Sequence, residues 1–310
     1  MKREMTKFNK YLFLLLSIVS VNFINAQREP QYTQYINNTL TYNPAYISTQ
    51  EDVTFTALGR SQWMGFDGAP NTYSFSAILP TLSNSFGTGL NIIHDEIGPT
   101  KQTSISANFS YEIMLSPTIY TSFGVSAGGS FLSIDYGKGN YLDPNDPLLN
   151  NRNDFDPSFG FGVMTYSENW YVGLSIPNFL KSKYYSGEGS KLIDSENLQY
   201  FILGGYIFNI SENLKLKPAV LAKIQKNLPY VVDYSANALI NNKITVGVSY
   251  RSSDIVTGLF GIQLTDQFYL GYSYDHTLNG LTGYNDGSHE IMLKFTLPKK
   301  IRTIQSPRFY

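Results

Sequence analysis

Between Asn71 and Pro80, apolar and polar residues alternate one by one. Tyr73, Phe75, Ala77 and Leu79 fall on one face of an extended chain, and Thr72, Ser74 and Ser76 on the other. The same period of two recurs along most of the chain, and helical spacing is nearly absent. In "KITVGVSYR" (243–251), Ile244, Val246, Val248 and Tyr250 oppose Thr245, Gly247 and Ser249. In "QFYLGYSYD" (267–275), Phe268, Leu270, Tyr272 and Tyr274 oppose Tyr269, Gly271 and Ser273. Ile105, Ala107, Phe109, Tyr111 and Ile113 oppose Ser104, Ser106, Asn108, Ser110 and Glu112 in the same way. Fourteen such segments are predicted as strands. They cover 52–63, 71–80, 86–95, 101–113, 118–135, 155–166, 169–176, 198–210, 213–224, 230–240, 243–251, 254–264, 267–275 and 288–297.

A soluble sheet with one wet face would show the same alternation. The connections discriminate. Every second one is tiny, as at 81–85, 115–117, 167–169, 211–213, 241–242 and 265–266. The intervening ones are mostly longer, as at 64–70, 136–154, 177–197 and 276–287. Transmembrane barrels combine strands of about 9–11 residues with short turns on one side and long loops on the other. A soluble sandwich has no reason to alternate loop lengths, and its outward Tyr and Phe would form large apolar patches. The expected fold is therefore an all-β, antiparallel outer-membrane barrel over 52–297, with apolar residues outward and polar residues inward. Inward charges such as Arg60, Glu112, Asp233, Arg251 and Lys294 are affordable only in a lumen. Residues 27–51 lead in, and their tyrosines suit packing against or inside the end where strand one begins. Residues 298–310 trail out on that same side.

Composition sharpens this picture. Charged residues are 15% of the 310, against roughly 25% in ordinary soluble domains, and aromatics are also 15%. With a formal charge of −1 and no basic stripe, nucleic acid is not an expected partner. Cysteine is absent, which removes disulfides and thiolate chemistry. At the N-terminus, Lys2, Arg3, Lys7 and Lys10 precede the apolar run "YLFLLLSIVSV", and "FINA" ends at Ala26. This is the layout of a secretory signal peptide over 1–26, cleaved near Ala26. The run is about half the ~20 residues a spanning helix needs.

Candidate chemistry is sparse. His94 and Asp95 sit on a strand and point to opposite faces. Asp275 beside His276, read as the start of a loop, is the best enzyme candidate of a weak set. "DPNDPLLNNRNDFD" (143–156) clusters Asp143, Asp146, Asp154 and Asp156, and oxygen-rich loops can hold calcium. Its prolines spoil EF-hand spacing. "SAGGS" (126–130) lies in a strand and is no phosphate loop. The reading is a non-enzyme without metal or cofactor. The loop "WMGFDGAP" offers Trp63, Phe66 and Pro70 as a contact surface, since aromatics dominate binding hot spots. The tail offers Lys299, Lys300, Arg302 and Arg308 without an acid, suited to steering toward an acidic periplasmic partner.

Three stretches are more specific. "TQYINNTLTYNPAY" (33–46), "RSQWMGFDGAPNTYSFS" (60–76) and "GSHEIMLKF" (287–295) resemble the signature segments of the PorP/SprF family of type IX secretion membrane proteins, in the family's order. The residues after the "NPAY" core depart from the more usual small ones. The resemblance implies an outer-membrane barrel, in contact with outer-membrane lipid, working with the type IX secretion and gliding machinery. Some members are paired with a secreted cargo, often a large adhesin, which they help export or hold on the surface. Others link the outer membrane to periplasmic rings. No catalytic residue comes with the family. The "NPA" turn is also similar to that of fatty-acid-type transport barrels with an N-terminal plug, so small-molecule or hydrophobic-compound transport is the alternative.

Overall fold

The computed structural model describes residues 31–80, 85–135, 151–180, 198–226, 228–278 and 285–298. The strands are β1 (Val53–Ser61), β2 (Asn71–Pro80), β3 (Phe86–Ile97), β4 (Thr100–Ser116), β5 (Ile119–Ile134), β6 (Arg152–Tyr166), β7 (Trp170–Ile176) and β8 (Gln199–Tyr206). They continue with β9 (Phe208–Ser211), β10 (Leu214–Gln225), β11 (Val231–Ile240), β12 (Ile244–Arg251), β13 (Ile255–Gln263), β14 (Phe268–Thr277) and β15 (Ser288–Leu297). β8 and β9 are one strand interrupted at Ile207, since both pair with β10. The sheet thus has fourteen staves, each antiparallel to its neighbours. It closes on itself where β1 pairs with β15, from Val53↔Leu297 to Ser61↔His289. Closure satisfies every ladder without leaving an edge, which a bilayer demands.

All fourteen predicted segments appear. The overlong 118–135 is a single strand, and β4 and β6 run further than their alternation suggested. β14 also runs on through Thr277. Asp275 and His276 therefore lie on a strand rather than at the start of a loop, and face opposite sides of the wall, Asp275 buried and His276 exposed. That separates the enzyme candidate pair. His94 and Asp95 are likewise on opposite faces: His94 bonds Thr103 and Glu96 outside, and Asp95 bonds Thr72 inside.

The two rims differ as the connections imply. At the turn rim, Asn241 and Asn242 both adopt positive φ (52° and 51°), the backbone of a two-residue hairpin turn matched to strand twist. At the loop rim, two connections are also tight: Gly98–Pro99, and the turn ending at Asp254.

Outward residues follow the alternation. Tyr73, Phe75, Phe109, Val246, Val248 and Phe260 are exposed, forming an apolar belt. The interior differs from the simple expectation of a polar lumen. Leu58, Tyr120, Met164, Tyr166, Tyr171, Phe201, Leu203, Leu221, Tyr269 and Met292 are buried on the inner side. They face inward because something apolar fills the lumen: Tyr32, Tyr35, Tyr42 and Ala45 belong to the same cluster. Hence the hydrophobic core of this barrel lies inside it, around residues 31–50.

A cation on the belt tests the orientation. Val248→Arg is expected to cost about 2–4 kcal/mol, as at a bilayer midplane, in reversible urea unfolding from lipid vesicles. Ser253→Arg, on a turn at the loop rim, is expected to change stability little.

Candidate functional site

Residues 31–50 descend through the lumen from the loop rim to the start of β1. Two 3-10 turns, Thr39–Thr41 and Pro44–Thr49, shape the segment. Sequence reasoning placed it at or in the turn-rim end. It reaches the loop-rim third of the wall because charged groups there bind its first residues.

Those groups surround Arg60, which is 2% exposed. Arg60 lies opposite Glu290 across the closing seam. Its guanidinium donates to Asp275 at 2.7 Å and to Glu290 at 3.2 Å. Two carboxylates share one cation, so the excess negative charge needs further donors. The lumen segment supplies them. The backbone N–H of Thr33 and that of Gln34 donate to the two oxygens of Glu290, at 3.0 and 2.9 Å. The Thr33 hydroxyl donates to Asp275 at 2.8 Å and accepts from Arg60 at 3.3 Å. Thr257 adds a hydroxyl to Asp275 at 2.7 Å. Beside this cluster Arg251 donates to Asp233 (2.7 Å), which also accepts from the Gln31 carboxamide (2.6 Å).

Lower down, the segment is held by shape. Asn43 uses its side-chain oxygen to accept from the Ala45 N–H at 2.9 Å. Its amide donates to the carbonyls of Val163 and Leu174, at 3.2 and 3.4 Å. Inner-wall glycines make room. A Cβ on Gly124 would stand 2.2 Å from the Ala45 nitrogen, on Gly162 2.0 Å from Asn43 Oδ1, and on Gly87 2.4 Å from Ile47 Cγ2. The tyrosines brace the rest. Tyr42 packs at 5.1 Å on Phe201, and its hydroxyl accepts from the Tyr32 N–H at 2.8 Å. Near the turn rim, Ser48 bonds Ser110 at 2.6 Å, and Tyr166 donates to the Ser48 carbonyl and to Glu112.

The loop 62–70 is tied down on three sides. Met64 exchanges backbone hydrogen bonds with Gly287 and Asp286, Gly98 donates to the Gly68 carbonyl, and Gln62 donates to that of Pro70. Trp63 (φ 46°) donates its N–H to the Ser288 hydroxyl. Gly65 and Gly68 hold φ of 87° and 74°, which side chains rarely adopt. The loop presents Phe66, 58% exposed, and Met64, 44% exposed. Trp63 is half-buried, and Pro70 is buried at the foot of the loop.

The structure therefore brings the three signature stretches together. Thr33 and Gln34, Arg60 with its loop, and Gly287 to Glu290 meet in one place. Sequence reasoning identified Arg60, Asp233 and Arg251 as inward charges but missed Glu290 and the role of Asp275. The signal for Glu290 was its parity with Ser288, Met292 and Lys294. Asp143, Asp146, Lys299, Lys300, Arg302 and Arg308 lie outside the described residues. Asp154 and Asp156 are on β6, and among the described residues no cluster of three potential metal ligands forms.

The family described as "Type IX secretion system membrane protein PorP/SprF" matches residues 24–295. Comparison by sequence with curated proteins gives no match. Among solved structures, the CymD monoaromatic hydrocarbon channel aligns with a TM-score of 0.53 at 10% identity, over 85% of this chain and 94% of its own. The Ralstonia pickettii toluene transporter TbuX aligns with a TM-score of 0.50 at 10% identity, over 83% and 92%. These likenesses are of fold: outer-membrane barrels.

Crowding a glycine well separates docking of the lumen segment from barrel stability in general. Gly124→Ala is expected to cost about 1–3 kcal/mol of overpacking and to speed proteolytic cleavage within 31–50. Gly258→Ala, whose added Cβ would meet nothing within 4 Å, is expected to leave cleavage unchanged.

Proposed function

Because this chain belongs to the PorP/SprF family of type IX secretion system membrane proteins, we propose that it helps export or surface-anchor a particular secreted protein, such as an adhesin, working from its rims rather than through its lumen. The observation that carries this reading is the filled lumen beside a rigid loop. Residues 31–50 occupy the interior, while the loop 62–70 is fixed by backbone bonds to two neighbouring connections. A scaffold that holds its loops still is suited to binding a partner. The loop rim is taken to face the cell exterior, and the turn rim, with the ends of the barrel, the periplasm. A leader ending near Ala26 delivers the chain to that compartment.

Phe66 and Met64 are the cargo contacts in this reading. Trp63 sets the loop's entry, and Pro70 closes it. The basic tail, with Lys299, Lys300, Arg302 and Arg308, meets the machinery's periplasmic part. The alternative is passage of a hydrophobic compound, as the fold likeness to hydrocarbon channels suggests. It requires the lumen segment to give way, and nothing of the sort is needed for anchoring.

Pull-down of the tagged protein from detergent extracts tests the two readings. Copurification of one large secreted protein supports anchoring; a lone protein with measurable conductance supports transport. Phe66→Ala with Met64→Ala is expected to lower cargo retention on cells about tenfold, the effect of losing one interface hot spot of ~1.4 kcal/mol or more. Unchanged retention removes the loop from the site. Truncation after Leu297 is expected to leave assembly intact and weaken partner copurification, more so at low salt, where the attraction is least screened. Unchanged copurification at low and high salt reduces the tail to a plain terminus.

A further inference from the structure

Gln34 is 1% exposed, yet neither polar atom of its carboxamide has a hydrogen-bond partner in the protein. A bare buried amide is costly, and native interiors almost always satisfy such groups. The side chain is not loosely placed. The backbone N–H of Gln34 is bound to Glu290 at 2.9 Å. The carboxamide oxygen lies over Gly271 of β14, where an added Cβ would stand 2.2 Å from it. The wall is hollowed to admit the amide. Ser273, two residues along that strand and buried like Gly271, also has a hydroxyl without a partner. Beside Gln34 is a cleft of about 390 Å³, its open mouth included, whose free interior is only water-sized. The lumen segment lines it with Gln34 and Asn37, and the wall with Ser235, Asn237 and Ser249. Leu259, which pairs with Ser273, lines it too.

We infer that this cleft is a hydration site, in which ordered water binds the Gln34 carboxamide and bridges it to the Ser235, Asn237 and Ser249 side chains of β11 and β12. An apolar void of this kind stays dry, whereas a small polar one holds water that bonds about two to four groups. Water supplies both things the amide lacks, a donor for Oε1 and an acceptor for Nε2. The lining offers hydroxyls and amides and no charged side chain. The nearby carboxylates are engaged by Arg60 and Arg251, which leaves no charged oxygen set for a metal ion. An organic ligand does not fit. Gln34 lies in the signature stretch 33–46, and the assignment gives its amide a task. It holds the solvent that fills the gap between the lumen segment and the wall at β11 and β12. The inference holds whichever cargo the rim carries.

Gln34→Met keeps the length of the side chain and removes the amide. In the full-length protein, unfolded reversibly by urea in lipid vesicles, it is expected to lower the folding equilibrium constant about fivefold, because the water loses a partner. A bare amide predicts the opposite sign, since its removal relieves a buried polar group. An unchanged or raised constant therefore overturns the site. Ser249→Ala, alone and combined with Gln34→Met, tests whether the water is shared. The two side chains have no hydrogen bond to each other, so coupling between them has to pass through the water. The combined loss is expected to fall at least about threefold short of the product of the single losses. Losses that simply multiply overturn the bridge. A crystal structure that resolves ordered water reads the site directly. Density within hydrogen-bond distance of both the carboxamide and a wall side chain is expected, and a dry cleft overturns the inference. Heat-modifiable gel mobility reports which variants are folded barrels.

Discussion

A buried guanidinium between two carboxylates organises this protein. Arg60 sits on the first strand, Glu290 on the last and Asp275 on the one before it, so the ion cluster lies on the seam where the sheet closes. One cation cannot balance two anions in a water-poor interior, and the remaining demand is met by hydrogen-bond donors. Two of these are consecutive backbone N–H groups of the lumen segment. Barrel closure and lumen filling are therefore coupled through the same carboxylate. Removing Arg60 would leave two buried carboxylates without their cation, a loss of about 3–5 kcal/mol where such pairs are broken.

The same seam sets the outer surface. The strand carrying Arg60 runs straight into the loop 62–70. The strand carrying Glu290 begins at Ser288, whose hydroxyl accepts from Trp63. A cluster inside the wall thus fixes the position of a loop outside it. The three signature stretches, far apart in the chain, serve a single junction of lumen segment, seam and loop. Their shared location gives the family pattern a physical reason that no one stretch supplies alone.

Filling the lumen also changes what the inner wall must be. An open channel would be lined by polar groups and water. Here the inner wall carries Tyr171, Phe201, Leu221 and Met292, and its glycines are seats for Asn43, Ala45 and Ile47. Each well is matched to a particular group, the backbone at Ala45 and the side chains of Asn43 and Ile47, so the segment is docked in one register. The interior behaves as a protein core, close-packed and intolerant of an added methyl group.

Strand number, order and lipid face were legible in the sequence, because a period of two assigns every second side chain to one side and loop lengths separate the rims. Inward placement of Arg60 and Arg251 followed from the same parity, given the cost of charge on a lipid face. What alternation does not carry is who meets whom across the lumen. Glu290 did not stand out, and Asp275 read as the start of a loop, because their partners lie on other strands and on a segment more than 200 residues away. The glycines read as gaps in a wall until the segment that fills them is in place. The one-dimensional pattern determined the barrel, since each strand obeys a local rule set by its two solvents. Only the tertiary structure decided the site, since burial of charge and fit of shape are properties of distant groups brought together.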